Sequence, residues 1–103
     1  MSDDEPEFGY GRGGRPLWTV RDRDAEGVRE VLRKAGRREF GDDHGGFAVE
    51  GGHGGDPFMV ACADDARVSA AELPRYEAAL RAAGYRVEPE PDDDQVLQAW
   101  PPS

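Results

Sequence analysis

Two histidines and the carboxylates beside them are the residues of this 103-residue chain whose types best suit metal binding or acid–base chemistry. His44 follows Asp42 and Asp43, and His53 precedes Asp56 within a glycine-rich segment. Imidazole and carboxylate groups both bind zinc, whose nitrogen ligands lie about 2.1 Å from the ion. The region from His44 to Asp56 is therefore an alternative site for a small molecule or a metal, in a ligand-binding domain or an enzyme.

The predicted positions of the two histidines argue against a shared metal ion. Segments 46–50 and 57–63 are apolar, strand-like runs around a glycine-rich turn, which predicts a hairpin. His53 then lies at the hairpin tip and His44 at the far end, roughly 15 Å away at about 3.3 Å per residue. We therefore expect no bound metal and no cofactor.

The nucleophilic side chains have structural explanations. Cys62 lies in the second strand of this hairpin, on its apolar face, where a thiol packs as a small apolar group. Ser69 is predicted to cap a helix in a capping box with Glu72. The sequence presents no set that combines a nucleophile with a base, so we expect a protein that is not an enzyme.

Basic residues are concentrated in the first third of the chain. Residues 10–38 carry nine bases and four acids, and residues 9–15 form a short arginine–glycine segment of a kind that binds RNA. Cations at the end of a helix also interact favourably with the helix dipole, which explains part of this set without a ligand. Nucleic-acid binding is therefore a second alternative and not the expected function. Its candidate residues are Arg12, Arg15, Arg33, Lys34, Arg37 and Arg38.

Acidic residues dominate the remainder of the chain. Residues 39–103 carry fourteen acids and four bases, and the formal net charge of the whole chain is −9. Such a charge repels nucleic acids and anionic membranes and favours basic partners. The candidate partner-binding residues lie in predicted turns or on the last strands. They are Asp64, Asp65, Glu88, Glu90, Asp92, Asp93, Asp94 and Trp100.

The leading hypothesis is a small acidic interaction or regulatory protein that binds a basic protein partner. A related form of it is a protein that occupies a nucleic-acid-binding site by imitating the charge of the phosphates. Trp100, which two prolines follow, adds an aromatic group that suits recognition of a protein surface. We expect no membrane association, and either a monomer or a homodimer through the sheet.

The order of the predicted elements indicates an α+β fold. Short apolar runs predict strands, and two stretches with apolar residues at helical spacing predict helices. The predicted strands are 15–21, 46–50, 57–63 and 85–88, with a possible fifth at 95–100. The helices lie between the first and second strands and between the third and fourth. This β-α-β-β-α-β order is that of the ferredoxin-like split βαβ sandwich.

Capping residues predict the helix ends. Asp22 or Asp24 is expected to cap the first helix and Ser69 the second, while Gly36 and Gly84 follow the two C-termini. The residues that precede these two glycines are similar. This echo agrees with the pseudo-twofold symmetry of a split βαβ fold.

The length of the chain suits one domain, placed at residues 15–103 after a flexible acidic and glycine-rich arm at residues 1–14. No apolar run reaches the roughly 18–20 residues of a membrane span, and the acidic N-terminus is unlike a signal peptide. The single cysteine allows no internal disulfide, which suits a reducing compartment. We therefore expect the protein in the cytoplasm.

Overall fold

The first helix, α1 (Val20–Lys34), begins inside the segment that was predicted to be a strand. The computed structural model describes residues 5–102 of the chain, and in it Thr19 is the N-cap of α1. The Thr19 hydroxyl accepts the Asp22 N–H at 3.0 Å, and the Asp22 carboxylate accepts the Thr19 N–H at 3.3 Å. This reciprocal capping box fixes the helix start. The predicted strand at 15–21 is therefore wrong, and so is the predicted cap at Asp22 or Asp24.

Residues 8–17 form a short antiparallel pairing that stays outside the sheet. Phe8 N–H donates to the Leu17 carbonyl at 2.9 Å, and Leu17 N–H donates to the Gly9 carbonyl at 2.9 Å. Leu17 is buried, and the guanidinium of Arg23 lies 5.1 Å from the centre of the Phe8 ring. The strand-forming residues before α1 thus pair with the preceding segment. The mobility predicted for residues 1–14 stays a prediction, and residues 1–4 lie outside the described part.

Four antiparallel strands form one sheet in the order β1-β2-β4-β3. They are β1 (Gly46–Gly51), β2 (Phe58–Ala63), β3 (Arg86–Pro89) and β4 (Val96–Trp100). The predicted β1–β2 hairpin and the predicted C-terminal strand are both confirmed. The core forms where the buried side chains of alternate strand positions meet both helices.

The α+β class is confirmed, but the chain order is α-β-β-α-β-β. In a split βαβ sandwich the first strand lies beside the third and antiparallel to it. Here β4 occupies that place, because it pairs antiparallel with β2. The predicted first strand is therefore absent, and its position is filled from the C-terminal end of the sequence. A homodimer through the sheet stays a prediction.

The second helix, α2 (Ala66–Ala82), begins three residues before the predicted cap. Asp65 is its N-cap and accepts the Val68 N–H at 2.9 Å. Ser69 is buried within the helix, where its hydroxyl donates to the carbonyls of Cys62 and Asp65. The predicted cap at Ser69 is wrong because Asp65 offers an equivalent acceptor one turn earlier.

Both helices end in the same C-terminal motif. After α1, Gly36 N–H donates to Arg33 and Arg37 N–H donates to Leu32, and Gly36 has a φ of 81°. Gly84 makes the equivalent turn after α2, with a φ of 93°. These are Schellman motifs, which favour glycine at the left-handed position. The sequence echo at 36 and 84 is thus explained by capping and needs no duplicated fold. In residues 5–102, neither helix has the length and apolarity of a membrane span.

Candidate functional site

One end of the sheet gathers acidic residues from three connections. The antiparallel registers place the ends of β2 and β3 beside the starts of β1 and β4. The connections at this end are residues 41–45, 64–65 and 90–95. We call their eight acids the acidic end: Asp42, Asp43, Asp64, Asp65, Glu90, Asp92, Asp93 and Asp94.

Gln95 joins two of these acidic connections. Its side-chain amide donates to the Asp64 carbonyl at 2.9 Å and to the Ser69 hydroxyl at 2.7 Å, and its own carbonyl accepts the Cys62 N–H at 2.9 Å. The loop before β4 is therefore fixed to the start of α2. Sequence reasoning treated Gln95 only as a strand residue and missed this role, since nothing local to Gln95 indicates a partner 31 residues away.

Backbone amides hold several carboxylates of the acidic end. Glu90 accepts the Asp92 N–H at 2.8 Å, and Asp93 accepts the Gln95 N–H at 2.9 Å. Asp65 caps α2. These bonds give the turns a defined shape, because aspartate and glutamate side chains satisfy the amides that a turn leaves unpaired.

The charge of the acidic end is not neutralised within the described chain. None of its eight carboxylates forms an ion pair with another residue of 5–102. Asp92 and Asp94 are exposed, and no described residue donates a hydrogen bond to their carboxylates. The acidic end therefore presents a concentrated negative field to solvent.

Two of the predicted partner-binding residues lie apart from this surface. Glu88 is in the middle of β3 and pairs with Arg86 at 3.3 Å. Trp100 is at the opposite end of β4, where the Arg86 guanidinium lies 3.9 Å from its ring centre. The sequence could not separate these residues from the acids, because their grouping depends on the β3–β4 register.

The two histidines lie at opposite ends of the β1–β2 hairpin, as predicted. His53 and Asp56 flank the glycine-rich tip, whereas Asp42, Asp43 and His44 precede β1 at the acidic end. Both histidines are exposed. Among residues 5–102, no group of three or more His, Cys, Asp or Glu side chains is arranged to hold a metal ion.

Four of the six predicted nucleic-acid residues, Arg12, Arg15, Arg33 and Arg37, lie near one another beside α1. Lys34 is exposed, and Arg38 lines a different cleft, of about 410 Å³, between the segment that follows α1 and α2. The Arg37 guanidinium pairs with Glu72 at 2.8 Å, whereas Arg15 and Arg33 meet two buried or half-buried glutamates beside a further arginine that sequence reasoning missed. These are Glu26, Glu39 and Arg29.

A sequence signal for part of this cluster does exist. Glu26, Arg29 and Arg33 are spaced i, i+3 and i+7, which places all three on one face of α1. Glu26 is only 8 % exposed and accepts hydrogen bonds from Arg29 at 3.0 Å and Arg33 at 2.7 Å. Glu39 joins from outside the helix, at 3.2 Å from Arg15, and no local pattern indicates that contact. We call these five residues the glutamate–arginine cluster: Arg15, Glu26, Arg29, Arg33 and Glu39.

Cys62 and Tyr76 occupy the core beside the cleft that Arg38 lines. Cys62 is 3 % exposed, as its predicted position on the apolar face requires, and the Tyr76 hydroxyl donates to its sulfur at 3.5 Å. Burial, together with this hydrogen bond, raises the pKa of Tyr76 above its ordinary value. The phenol therefore stays protonated and packs as part of the core.

Comparison with protein-family models, with curated proteins and with solved structures finds no match for this chain.

Proposed function

We propose that the protein is a non-enzymatic docking protein whose acidic end binds a basic surface on a protein partner. The observation that carries this proposal is the gathering of eight carboxylates at one end of the sheet without an ion pair to any residue of 5–102. A basic partner supplies the neutralising charge that this end lacks.

The fixed shape of the acidic end supports a specific contact. Gln95 ties the loop 90–95 to the start of α2, and Glu90 and Asp93 hold the turn from within. A prearranged surface loses less conformational entropy on binding than a mobile acidic tail of equal charge. Charge of one sign also steers an oppositely charged partner during encounter, so its main effect is on the association rate.

The best test removes two charges from the acidic end without disturbing its hydrogen bonds. Asp92→Asn with Asp94→Asn does this, because the structure gives those two carboxylates no internal partner. The matched control is Glu50→Gln with Asp56→Asn, which removes two exposed charges towards the hairpin tip that pair with no residue of 5–102.

Wild type and both variants are immobilised and exposed to nuclease-treated extract of the native cells, and captured proteins are quantified by mass spectrometry. We expect basic proteins that bind wild type and the control equally and are depleted by the acidic-end variant. With such a protein purified, its association should slow by about tenfold or more from low to high salt. Equal capture by the two variants, or a rate that salt leaves unchanged, would contradict the proposal.

A further inference from the structure

Charges beside α1 are arranged differently from those of the acidic end. Three guanidinium groups, those of Arg15, Arg29 and Arg33, share the carboxylates of Glu26 and Glu39 at distances from 2.7 to 3.9 Å. Glu30 approaches from the solvent side, 4.0 Å from Arg33. The glutamate–arginine cluster itself thus holds three positive and two negative charges. Burial, followed by the neighbouring charge of Arg15, lowers the pKa of Arg29, although Glu26 and Glu39 act in the opposite direction.

Arg33 has hydrogen-bond donors that no described residue satisfies. Its side chain is 9 % exposed, and its Nη2 donates to Glu26 at 2.7 Å. The Nε and Nη1 atoms are buried and have no hydrogen-bond partner among residues 5–102. A Glu39 oxygen lies 3.9 Å from Nε and a Glu30 oxygen lies 4.0 Å from Nη1, both beyond hydrogen-bond distance. Because a buried unsatisfied donor is costly, such atoms indicate a missing acceptor.

Arg33 forms part of the wall of an open cleft of about 520 Å³ between the N-terminal segment and the end of α1. The other lining residues are Arg12, Gly13, Gly36, Arg37 and Glu39. Three arginines and one glutamate give this lining a formal charge of +2, in a chain whose net charge is −9. A Cβ added at Gly13 or at Gly36 would meet nothing within 4 Å, so the backbone at both positions is open to a ligand.

We propose that this arginine cleft binds the phosphate group of a small molecule, either inorganic phosphate or a phosphate monoester. A phosphate dianion matches the charge of the lining and offers several acceptor oxygens to guanidinium donors. The ligand is small because the central guanidinium, that of Arg33, is recessed and held by Glu26, whereas nucleic-acid strands bind basic grooves that follow the backbone.

Glu39 is the residue that must move when phosphate enters. It lines the cleft and is 3.9 Å from Arg33 Nε, but it is already closer, at 3.2 Å, to Arg15. A shift of Glu39 towards Arg15 opens Arg33 to a phosphate oxygen, while the exposed Arg12 supplies positive charge to the lining. Arg37 contributes less, because its guanidinium is paired with Glu72 at 2.8 Å. No lining residue belongs to the acidic end, so this inference is independent of the docking function.

The test titrates the full-length, isotope-labelled protein with inorganic phosphate and, separately, with phenyl phosphate, followed by NMR. We expect saturable shifts of the Gly13 amide signal and of the Arg33 Nε–H signal, because these residues line the arginine cleft and not the Arg38 cleft. Tighter binding of phenyl phosphate identifies a monoester as the ligand class, and equal binding of the two identifies phosphate itself. Shifts that do not saturate, or that centre on the Arg38 cleft, would overturn the proposal.

Two variants that each remove one positive charge distinguish a specific phosphate site from nonspecific electrostatic attraction. Arg12→Gln removes a lining guanidinium while retaining the Arg12 backbone N–H that donates to Glu26 at 3.1 Å. Lys34→Gln removes a neighbouring exposed charge that does not line the cleft. We expect Arg12→Gln to weaken phosphate binding about tenfold and Lys34→Gln less than about twofold, because a hydrogen bond to a charged group is lost only in the first.

A conservative change at Arg33 tests the unsatisfied donors themselves. Arg33→Lys keeps the positive charge opposite Glu26 but removes the planar N–H groups, so we expect phosphate binding to weaken by about tenfold. Far-UV circular dichroism establishes that the variant is folded, and the exposed position of Arg12 keeps the test decisive if Arg33→Lys does not fold. If Arg12→Gln and Lys34→Gln weaken phosphate binding equally, the attraction is nonspecific and the proposal is overturned. That result would not bear on the docking function, which has a separate test.

Discussion

The acidic end and the glutamate–arginine cluster hold charge in opposite ways. At the acidic end, the carboxylates of Asp65, Glu90 and Asp93 accept hydrogen bonds from backbone amides, and none of the eight forms an ion pair with any residue of 5–102. In the cluster, each carboxylate lies against several guanidinium groups, and Glu26 is almost completely buried. The net charge of the chain therefore depends mainly on residues that folding leaves unpaired.

This difference indicates different consequences of mutation. A charge removed from the cluster leaves a buried partner unpaired, which costs folding free energy. A charge removed at Asp92 or Asp94 disturbs no hydrogen bond from residues 5–102, because both side chains are exposed and unbonded there, so stability changes little. The cluster should therefore determine stability, and the acidic end should determine association.

The largest expected effect is at Glu26. Glu26→Gln leaves Arg29 and Arg33 without their closest carboxylate in a buried setting. We expect a loss of about 3–5 kcal/mol in the free energy of unfolding, the usual range when one member of a buried ion pair is removed. Urea denaturation measures it. The matched control, Glu30→Gln, removes a glutamate from the same helix that is 43 % exposed and should cost less than about 1 kcal/mol.

The pH dependence of stability provides a second measurement on the same residue. Burial acts to raise the pKa of Glu26, but the hydrogen bonds from Arg12 and Arg29 and the charge of Arg33 outweigh it and lower the pKa below 4.5. The ionised carboxylate thus stabilises the folded state above the pKa of the unfolded chain, and this contribution is lost as the pH falls through the folded-state pKa. Glu26→Gln should lose that part of the acid sensitivity. An unchanged acid profile, or equal costs for Glu26→Gln and Glu30→Gln, would show that the cluster is not a determinant of stability.

A smaller effect is expected where the N-terminal segment contacts Glu26. A Cβ at Gly11 would lie 2.7 Å from the Glu26 carboxyl carbon, and that carboxylate is held by its arginine partners. Gly11→Ala should therefore cost about 1–3 kcal/mol, the range for overpacking. Thermal and urea unfolding measure the change.

Gly27→Ala is the matched control for that substitution. Its added Cβ would lie 3.4 Å from the Tyr85 hydroxyl, an ordinary contact, and alanine is favoured over glycine within a helix by about 1 kcal/mol. We expect it to be neutral or stabilising. If Gly11→Ala is as well tolerated as Gly27→Ala, the N-terminal segment does not press on Glu26.

Local patterns in the sequence predicted the features that depend on neighbouring residues. The β1–β2 hairpin followed from two apolar runs around glycines, and both helix C-termini followed from Gly36 and Gly84. The prediction for the start of α1 was wrong because the run 16–20 contains strand-forming residues. Thr19 and Asp22 form a capping box there, which a reading of strand propensity alone does not consider. Tertiary context then decides between two local preferences.

Features that depend on distant contacts could not be read in this way. β4 lies beside β2, although α2 and β3 separate the two strands in the chain. Because of this pairing, the sheet does not have the split βαβ order that the strand-like runs of the sequence suggested. The same pairing brings the loop before β4 to the start of α2, which creates the acidic end. Charge composition indicated an acidic surface, but only the register separates Trp100 from it.

The smallest expected effect is the change in stability at the acidic end itself. Asp92→Asn with Asp94→Asn removes two exposed charges from a group of eight, so any change should be a slight stabilisation of within about 0.5 kcal/mol through reduced repulsion. Because repulsion between exposed charges is screened by salt, the difference from wild type should shrink further as salt is added. Urea unfolding at low and high salt measures both quantities.

Asp93→Ala is the contrasting variant, since it removes the acceptor of the Gln95 N–H at 2.9 Å and should destabilise by about 1 kcal/mol. If the double variant is instead destabilised as much as Asp93→Ala, the carboxylates of Asp92 and Asp94 support the fold, and their loss could no longer be used to assign binding to charge.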